Sequence, residues 1–381
     1  MSQCILTSCI LKIALDTPLN ALFDYRWNAA ADAHAGADVP LPQVGQLALV
    51  PFGRREVMGL IVGVSDCTDV PAAKLKDVLA VRSQLAPLSE QWLALAAFAA
   101  DYYQRPLGEV ALPGLPKNLR VLTTVALDRA IKKLAKLADA HDGTPLNMPA
   151  LNAAQQEAAD AIGGALGFKP TLLYGVTGSG KTEVYLQACA QVLARDEAAQ
   201  ILILVPEINL TPQLEGNIRA RFPGVMLATL HSSLSEGERM LHWLAAHQGQ
   251  ARIVLGTRLA ILASLPKLKL IVIDEEHDPS YKQQEGLRYS ARDLAVWRAW
   301  QLQIPIVLGS ATPSLESWHH AQTGRYRKLE LRERAVKNAV LPRVKILDME
   351  RDKPKDGLTS HLVAALKLRM ERGEQSLLFL N

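Results

Sequence analysis

The 381-residue sequence lacks the features that mark secreted, membrane-spanning and zinc-binding proteins. Its four cysteines, Cys4, Cys9, Cys67 and Cys189, form no Cys-x-x-Cys pair, so neither a disulfide framework nor a zinc site is predicted. No apolar run approaches the roughly 20 residues of a membrane span. The N-terminus has no basic region, apolar core and small-residue cleavage site of a signal peptide. We therefore expect buried thiols, a cytoplasmic location and no membrane contact.

Strong charge bias and sequence repetition are also missing. The formal net charge of +4 is not concentrated in one basic tract, which permits DNA binding without demonstrating it. No internal repeat or compositionally degenerate segment is present. Because 49% of the residues are hydrophobic, the chain can bury a sizeable core, and its length predicts two or three domains.

The sequence does contain a phosphate-binding pattern at residues 172–182. An apolar run, then Gly-x-x-x-x-Gly-Lys-Thr, then helix-compatible residues predict a strand, a phosphate loop and a helix. Inward-turned backbone N–H groups would surround the β- and γ-phosphates, Lys181 would add a full positive charge, and the Thr182 hydroxyl would hold Mg²⁺. The predicted nucleotide-binding residues of this loop are Gly175, Val176, Thr177, Gly178, Ser179, Gly180, Lys181 and Thr182.

An apolar run at residues 268–273 ends in the acidic sequence Asp274-Glu275-Glu276-His277-Asp278. A carboxylate at the C-terminal end of a buried parallel strand lies at the crevice where ligands bind. Asp274 is predicted to hold Mg²⁺ through water and Glu275 to polarise the attacking water, so that with Lys181 they form the catalytic set. The alternative is a solvated acidic loop after a strand.

A further apolar run at 304–308 is followed by Gly309-Ser310-Ala311-Thr312-Pro313. The hydroxyls of Ser310 and Thr312 are predicted to sense the nucleotide state of the neighbouring site through hydrogen bonds. Taken alone, this segment is an ordinary turn.

The order of these three motifs, with separations of roughly ninety and thirty-five residues, resembles that of superfamily-2 helicases. Other segments narrow the resemblance to lobe 1 of the replication-restart helicase family: Val205–Gln213, Leu230–Ser235, Gly256–Arg258, Tyr281–Gly286, Arg288–Tyr289 and Ala291–Asp293. Three N-terminal segments resemble that family's DNA 3′-end-binding domain: Phe23–Tyr25, Val50–Gly53 and Ala100–Tyr103. The resemblance covers about residues 10–115 and 150–381.

Two departures from the family pattern stand out. Only about thirty-five residues occupy the place of a winged-helix domain, so that module is expected to be missing. The chain stops at an apolar, strand-like run, Leu377–Asn381, where the family continues into a second motor lobe and a zinc-binding cysteine cluster. We expect a truncated form whose zinc ligands are absent. The predicted division is residues 1–115, a β-rich DNA-binding domain; 116–150, a shortened linker; 151–340, helicase lobe 1; and 341–381, the start of the segment leading to lobe 2.

The expected fold is an α/β P-loop NTPase lobe of the RecA-like type, preceded by the small β-rich domain. Helical stretches alternate with apolar runs, which predicts a parallel sheet covered by helices on both faces. The predicted lobe strands are Thr171–Tyr174, Ile201–Val205, Ile253–Leu255, Leu270–Ile273 and Ile304–Leu308. The predicted N-terminal elements are strands Ile10–Leu15, Gln46–Val50 and Gly59–Val64 and a helix from about Ser89 to Tyr103. A helical pattern also covers Val121–Ala140, and four tryptophans in helical contexts are expected in the core: Trp92, Trp243, Trp297 and Trp300.

The resemblance also implies roles for single residues. Gln155 would read the adenine edge, with a solvated helix glutamine as the alternative. Tyr281, Lys282, Arg288 and Tyr289 would bind single-stranded DNA through stacking and phosphate contacts, with a locally packed surface loop as the alternative. Contacts with the DNA backbone would come from Thr211, His231, Thr257 and Arg258.

Two further roles concern coupling and the DNA end. His277 would link the ATP site to the DNA loop rather than ligate metal. Asp24 would accept a hydrogen bond from a terminal 3′-hydroxyl in a pocket walled by Phe23 and Tyr25, with a turn aspartate between packed aromatics as the alternative.

The function that the resemblance implies is an ATP- and Mg²⁺-dependent 3′-to-5′ DNA helicase that restarts replication at abandoned forks. Its partners would be forked and single-stranded DNA, single-strand-binding protein, primosome proteins and the loader of the replicative helicase, in the cytoplasm with the nucleoid. Two alternatives stay open: a DNA-structure-binding module without motor activity, and another superfamily-2 translocase acting on duplex DNA or RNA.

Overall fold

The computed structural model describes residues 8–29, 41–121, 124–138, 150–206, 212–335 and 344–379. They belong to two compact units, residues 1–335 and 336–381. The described strands are β1 Ser8–Ala14, β2 Phe23–Asn28, β3 Leu47–Phe52, β4 Arg55–Ser65, β5 Lys76–Asp77, β6 Ala80–Val81, β7 Pro170–Gly175, β8 Gln200–Leu204, β9 Leu227–Leu230, β10 Ile253–Gly256, β11 Leu268–Ile273, β12 Ile306–Ser310 and β13 Arg327–Leu331. The described helices are α1 Glu90–Tyr102, α2 Leu107–Ala111, α3 Lys117–Val121, α4 Thr124–Ala138, α5 Ala153–Gly163, α6 Lys181–Arg195, α7 Pro212–Arg221, α8 Glu236–His247, α9 Ala291–Leu302, α10 Leu315–Gln322 and α11 Ser360–Glu371.

The N-terminal sheet has six strands in the order β5-β2-β1-β4-β3-β6. Its long neighbours pair antiparallel, whereas the short β5 pairs parallel with β2. Leu11, Ile13 and Ile61 are fully buried and form its own small core with Tyr25 and Trp27. The predicted strands near residues 10–15, 46–50 and 59–64 are present as β1, β3 and β4.

The lobe sheet has seven strands in the order β13-β7-β12-β11-β8-β10-β9, and every pairing in it is parallel. Strands β8 and β10 are buried along their whole length because helices cover both faces of the sheet. All five predicted lobe strands are present, so the predicted α/β lobe fold is confirmed. The carboxyl ends of β7, β11 and β12 therefore lie at one edge.

Helix α1 joins the N-terminal region to the lobe. The Trp92 indole N–H donates to the carbonyl of Leu262 over 2.7 Å, and both residues are buried. Phe98 stacks on Trp297 with the ring centroids 4.3 Å apart. His247 contacts Ser264 through Nδ1 at 2.9 Å and the Ala86 carbonyl through Nε2 at 2.9 Å. One hydrophobic cluster consequently runs from the N-terminal sheet into the lobe.

Two observations differ from the predictions, one for the tryptophans expected in the core and one for the linker expected at residues 116–150. Trp92 and Trp243 are buried, but Trp300 is 53% exposed, because it lies on the outer side of α9, so its assignment to the core was wrong. Much of the expected linker is structured: α3 and α4 pack against α8, and Leu119, Leu127 and Leu134 are buried. Leu127, Ala130 and Leu134 follow one helical stripe, which agrees with the predicted helical pattern.

The second unit contains one described helix, α11, with an N-cap at Thr359 whose hydroxyl accepts from the Leu362 N–H. Its described apolar run, Leu377–Phe379, does not form a strand, contrary to its strand-like sequence, because no described strand pairs with it. Among the described helices of both units, none combines the length and the apolar character needed to cross a membrane.

Candidate nucleotide and DNA-binding site

The phosphate loop connects the end of β7 to the start of α6. Gly178 and Gly180 both have φ of 78°, in the left-handed region that glycine adopts without strain. Gly180 is also the N-cap of α6, and a Cβ there would collide with the Gln155 side-chain amide. The loop thus meets the backbone requirements of a phosphate cradle at a helix N-terminus.

Lys181 brings the loop together with the acidic motif. Its side chain is buried, and Nζ donates to the Gly175 carbonyl over 3.3 Å and lies 3.5 Å from Glu275 Oε1. The predicted catalytic residues therefore meet although about ninety residues separate them in the chain. An ammonium group held at the loop opening is the arrangement that binds a nucleotide phosphate.

Asp274 follows directly on β11 and is partly buried. Burial raises the pKa of its carboxyl group, and the neighbouring Glu275 carboxylate raises it further. The Tyr185 hydroxyl donates to Asp274 Oδ1 over 3.2 Å, and the Tyr281 hydroxyl donates to its main-chain carbonyl over 2.6 Å. A nearby cation such as Mg²⁺ would stabilise the ionised form of this partly buried carboxyl group.

The donor set fits magnesium bound together with a nucleotide. Within the described residues, no group of three or more His, Cys, Asp or Glu side chains converges as a metal site. Mg²⁺ typically keeps several waters and takes one or two carboxylates plus phosphate oxygens. Asp274 and the exposed Thr182 at the start of α6 would supply the protein ligands.

Glu276 has a structural role that the sequence did not reveal. Its side chain is fully buried and accepts from the Ser314 N–H at 2.7 Å, the Ser314 hydroxyl at 3.1 Å and the Ser317 hydroxyl at 2.9 Å. Arg292 Nη1 donates to it over 3.3 Å. The acidic motif is thereby fixed to the beginnings of α9 and α10. As the third acidic residue in a row, Glu276 gave no separate signal in the sequence, because its binding partners lie 16 to 41 positions away.

His277 contacts the small hydroxyl residues after β12. Its Nδ1 lies 2.7 Å from Ser310 Oγ, and its Nε2 lies 3.2 Å from Thr312 Oγ1. The same Nδ1 is 3.7 Å from Glu275 Oε2. The three predicted coupling residues are thus one hydrogen-bonded group beside the acidic motif.

Gln155 lies under the phosphate loop. It is 4% exposed; its Nε2 donates to the Ser179 carbonyl over 2.9 Å, and its Oε1 accepts from the Asn152 N–H over 2.9 Å. The side-chain amide is therefore engaged by the loop and by the capping box of α5. The solvated-glutamine alternative is wrong, and reading of adenine stays a prediction that requires these bonds to open.

The aromatic-rich loop, residues 281–289, does not present its tyrosines for base stacking. Tyr281 and Tyr289 are 3% and 4% exposed, so their ring faces are covered in this conformation and the predicted stacking by them is corrected. Lys282 and Arg288 are exposed, and Lys282 Nζ lies 5.3 Å above the Tyr103 ring. The loop offers its cations, but not its tyrosine faces, to a nucleic acid.

Three of the predicted DNA-backbone residues lie together. His231, Thr257 and Arg258 line a cavity of about 670 Å³ between the lobe and the N-terminal region, called here the interdomain cavity. Arg258 Nη1 donates to the carbonyls of Ser280 and Lys282, which holds the aromatic-rich loop. The fourth predicted residue, Thr211, lies outside the described residues.

The N-terminal trio is split between two faces of β2. Phe23 and Tyr25 point into the small core, where Phe23 packs edge-on against Phe52 and the Tyr25 hydroxyl donates to the Pro51 carbonyl. Asp24 points the other way, 3.4 Å from Lys12 Nζ, and accepts from the Thr68 hydroxyl over 2.5 Å. Because strand side chains alternate, Phe23 and Tyr25 do not wall a pocket around Asp24, and that geometry is corrected.

Comparisons with known proteins agree with this architecture. Residues 12–116 match the family model of the 3′ DNA-binding domain, and residues 152–320 match that of the DEAD/DEAH box helicase. Helicases with such a domain use ATP and Mg²⁺ in general.

Three similar relatives are all named replication restart protein PriA. The chain is 35% identical to that of Haemophilus influenzae over 98% of this chain and 58% of the relative, and 36% identical to that of Treponema pallidum over 97% of this chain and 54% of the relative. It is 46% identical to that of Bacillus subtilis over 56% of this chain and 26% of the relative. The chain thus spans about half the length of the first two relatives, and it belongs to the PriA family of helicases.

Proposed function

We propose that this chain supplies the DNA-binding and ATP-binding part of a helicase that moves 3′ to 5′ on single-stranded DNA and initiates replication restart at stalled or abandoned forks. The observation that carries the proposal is the 3.5 Å contact between Lys181 Nζ and Glu275 Oε1. It joins a phosphate loop to an acidic motif in a chain that also matches a 3′ DNA-binding domain.

The chemistry follows from the groups at the carboxyl edge of the lobe sheet. Bound ATP would supply the phosphoryl group, and Mg²⁺ held by Thr182 and Asp274 would neutralise part of its charge. Lys181 and the loop N–H groups would bind the phosphates, and Glu275 would orient a water molecule for attack.

Changes at the ATP site would reach the rest of the lobe through His277. This residue contacts Glu275, Ser310 and Thr312 at hydrogen-bonding or near hydrogen-bonding distance. Arg258 and the Tyr281 hydroxyl connect the aromatic-rich loop to the same region. We therefore propose His277, Ser310 and Thr312 as the coupling group.

For domain organisation we propose residues 1–115 as the DNA-binding domain, 116–150 as a shortened connection, 151–340 as lobe 1 and 341–381 as the segment leading towards a second lobe. The two family-model matches support the first and third divisions. The alignment with the H. influenzae relative runs over 441 positions, more than the 381 residues of this chain, so that relative has residues without a counterpart here. We propose that these additional residues of the relative form the winged-helix domain that is missing here.

The proposed partners are forked and single-stranded DNA, single-strand-binding protein and the primosome proteins that reload the replicative helicase. The name of the relatives, replication restart protein, supports a role with the replication machinery. The exposed cations Lys282 and Arg288 would contact DNA phosphates without reading sequence.

A second candidate is a fork- or 3′-end-binding module without motor activity. The chain covers 58% and 54% of its two long-matching relatives, and the described residues contain one parallel sheet of the helicase type. Helicases of this superfamily hydrolyse ATP between two lobes, and the second lobe contributes arginines that are worth about 10³–10⁵ in rate in related phosphoryl-transfer enzymes. We expect the 381-residue chain alone to bind nucleotide weakly and not to unwind DNA.

ATPase assays on the 381-residue chain and on the same residues within a PriA relative decide between these functions. Fork DNA, single-stranded DNA and RNA are compared as stimulants, with a Lys181→Ala variant as the control for contaminating ATPase. Stimulation of the longer protein by DNA but not RNA supports the helicase. Stimulation by RNA favours another translocase, and fork binding without any ATPase in either protein favours the module. Strand separation by the 381-residue chain alone would contradict the expected need for a second lobe.

A further inference from the structure

Tyr185 lies on the helix that begins at the phosphate loop, but it belongs neither to the loop nor to the acidic motif. It follows Lys181 by four residues, so both side chains lie on the same face of α6, a helix that packs against β11. The Tyr185 side chain is buried, and its hydroxyl group donates to Asp274 Oδ1 over 3.2 Å. The chemistry proposed above gives this tyrosine no role.

Gly309 leaves the space that this hydroxyl group occupies. Leu308 of β12 pairs with Ile273 of β11, so Gly309 lies beside Asp274. A Cβ at Gly309 would overlap the hydroxyl oxygen of Tyr185. The φ angle of Gly309 is not positive, so the backbone conformation does not require glycine there. The close approach of Tyr185 is therefore the reason for glycine at this position.

The main chain of Asp274 is held at both of its polar groups. Its N–H donates to the Leu204 carbonyl over 2.9 Å, and its carbonyl accepts from the Tyr281 hydroxyl over 2.6 Å. These two bonds fix the backbone but leave the carboxyl group free to rotate about the two torsions of its side chain. The bond from Tyr185 to Oδ1 restricts that rotation. Tyr185 therefore acts on the orientation of the carboxylate.

The orientation of this carboxylate matters for the ion that it is proposed to hold. Mg²⁺ demands a nearly octahedral arrangement of its ligands. A group that hydrogen-bonds to a metal-binding carboxylate holds it in the required direction, and replacing such a group typically costs about 10- to 100-fold in metal affinity or activity. Of the two tyrosine hydroxyls at Asp274, that of Tyr185 contacts the carboxylate itself, whereas that of Tyr281 contacts the main chain.

We propose that Tyr185 is a positioning residue that orients the Asp274 carboxylate for the magnesium–nucleotide complex, and that Gly309 is glycine to make room for it. This inference rests on the proposed function, which assigns Mg²⁺ to Asp274 and Thr182. It also gives the segment at the end of β12 a second role: its glycine shapes the ATP site, whereas its hydroxyl residues contact His277.

The test measures the affinity of the full chain for a fluorescent ATP analogue, once with Mg²⁺ and once with EDTA. Tyr185→Phe removes the hydroxyl group and keeps the ring in the space beside Gly309. Tyr25→Phe is the matched control, because Tyr25 is also buried and its hydroxyl donates to the Pro51 carbonyl in the N-terminal sheet. Urea unfolding followed by circular dichroism checks that each variant is folded.

We expect Tyr185→Phe to raise the Kd measured with Mg²⁺ about tenfold, the lower end of the range for residues that hold a metal ligand. The Kd measured with EDTA should not change, because Lys181 and the loop N–H groups bind the phosphates without the metal. Tyr25→Phe should leave both constants unchanged. A residue with only a packing role would not change the two constants differently.

A double-mutant cycle with Asp274→Asn tests whether Tyr185 acts through Asp274. Asp274→Asn should itself raise the Kd measured with Mg²⁺, and adding Tyr185→Phe should cause no further increase. If the effects of the two substitutions add, Tyr185 acts independently of the carboxylate and the inference is overturned.

The outcomes separate this inference from the proposed function. If the unmodified chain does not bind the analogue, or binds it equally well with Mg²⁺ and with EDTA, the ATP site of the proposed function fails, and this inference fails with it. If Mg²⁺ strengthens binding by the unmodified chain but Tyr185→Phe behaves as Tyr25→Phe does, the positioning role alone is overturned. Equal losses with Mg²⁺ and with EDTA would assign Tyr185 to support of the whole phosphate loop and overturn the inference as well.

Discussion

The lobe sheet is parallel throughout, whereas the N-terminal sheet is antiparallel apart from the pairing of β5 with β2. In the lobe, consecutive helices return the chain to the same edge, so the carboxyl ends of β7, β11 and β12 bring Lys181, Asp274 and Ser310 close together. In the antiparallel sheet neighbouring strands end at opposite edges, and Asp24 and Tyr25 point to opposite faces of one strand. In the parallel sheet, motifs that follow different strands therefore meet at one edge and can form a site. In the antiparallel sheet, residues that follow neighbouring strands lie at opposite edges.

This contrast predicts a strong dependence of lobe stability on the buried Glu276. Glu276→Ala should lower the free energy of unfolding by about 3–5 kcal/mol, because Arg292 and two serines lose their buried acceptor. Urea unfolding followed by circular dichroism measures this. Glu316→Ala, at a carboxylate that is 70% exposed beside the same Arg292, is the matched control and should change stability by about 0–1 kcal/mol. Equal effects of the two variants on the free energy of unfolding would show that Glu276 does not hold the acidic motif in place.

The next effect is expected at the phosphate loop. Lys181→Ala should weaken binding of an ATP analogue by about 1.5–3 kcal/mol, or roughly tenfold to a hundredfold, because a charge-assisted contact with phosphate is lost. Lys169→Ala, before β7, should bind as the unmodified chain does. Titration with a fluorescent ATP analogue gives both values, and undiminished affinity in Lys181→Ala would place the nucleotide elsewhere.

A smaller effect is expected at the N-terminal sheet. Asp24 should favour DNA ending in a 3′-hydroxyl over DNA ending in a 3′-phosphate by roughly tenfold, because a carboxylate accepts from a hydroxyl and repels a phosphate. Asp24→Ala should remove the preference and leave general DNA affinity intact. Anisotropy with both oligonucleotides tests it. Lys12 and Thr68 already contact Asp24. If the unmodified chain binds both DNA ends equally well, the role of Asp24 is limited to these two contacts.

The smallest effect concerns the junction between the two sheets. Burial lowers the pKa of His247, although its bond to the Ala86 carbonyl opposes this shift. The unfolded chain then binds the proton more readily, so stability is fully present above the unfolded pKa of about 6.5 and falls as the pH drops through it towards the folded pKa. Thermal melts at a series of pH values should show this slope, which His247→Gln should flatten and the exposed control His319→Gln should not. A slope that persists in His247→Gln would come from other groups.

How much the sequence revealed also differed between the two sheets. The five apolar lobe strands were predictable because each is buried on both faces. Strands β9 and β13 were missed: they lie at the two edges, β9 is only four residues long and β13 alternates charged and apolar residues in Arg-Lys-Leu-Glu-Leu. Strand β2 was missed because its polar residues alternate with buried aromatic rings.

The site shows the same pattern. The contact of Lys181 with Glu275 followed from motif chemistry, since both groups must face one phosphate chain. The burial of Tyr281, Tyr289 and Gln155 did not, because the same residue types serve in packing and in ligand binding. Only tertiary packing decides which of the two uses a tyrosine or glutamine has.

The backbone of Glu275 carries a final consequence. Its φ of 44° lies in the left-handed region, which for a residue with a side chain costs about 1–2 kcal/mol relative to the right-handed one. Glycine at this position would relieve that strain and make the folded protein more stable, yet it would remove the carboxylate next to Lys181. Selection for thermal stability alone would therefore tend to erase this acidic residue, and a catalytic role for Glu275, as proposed above, would be the reason to keep it.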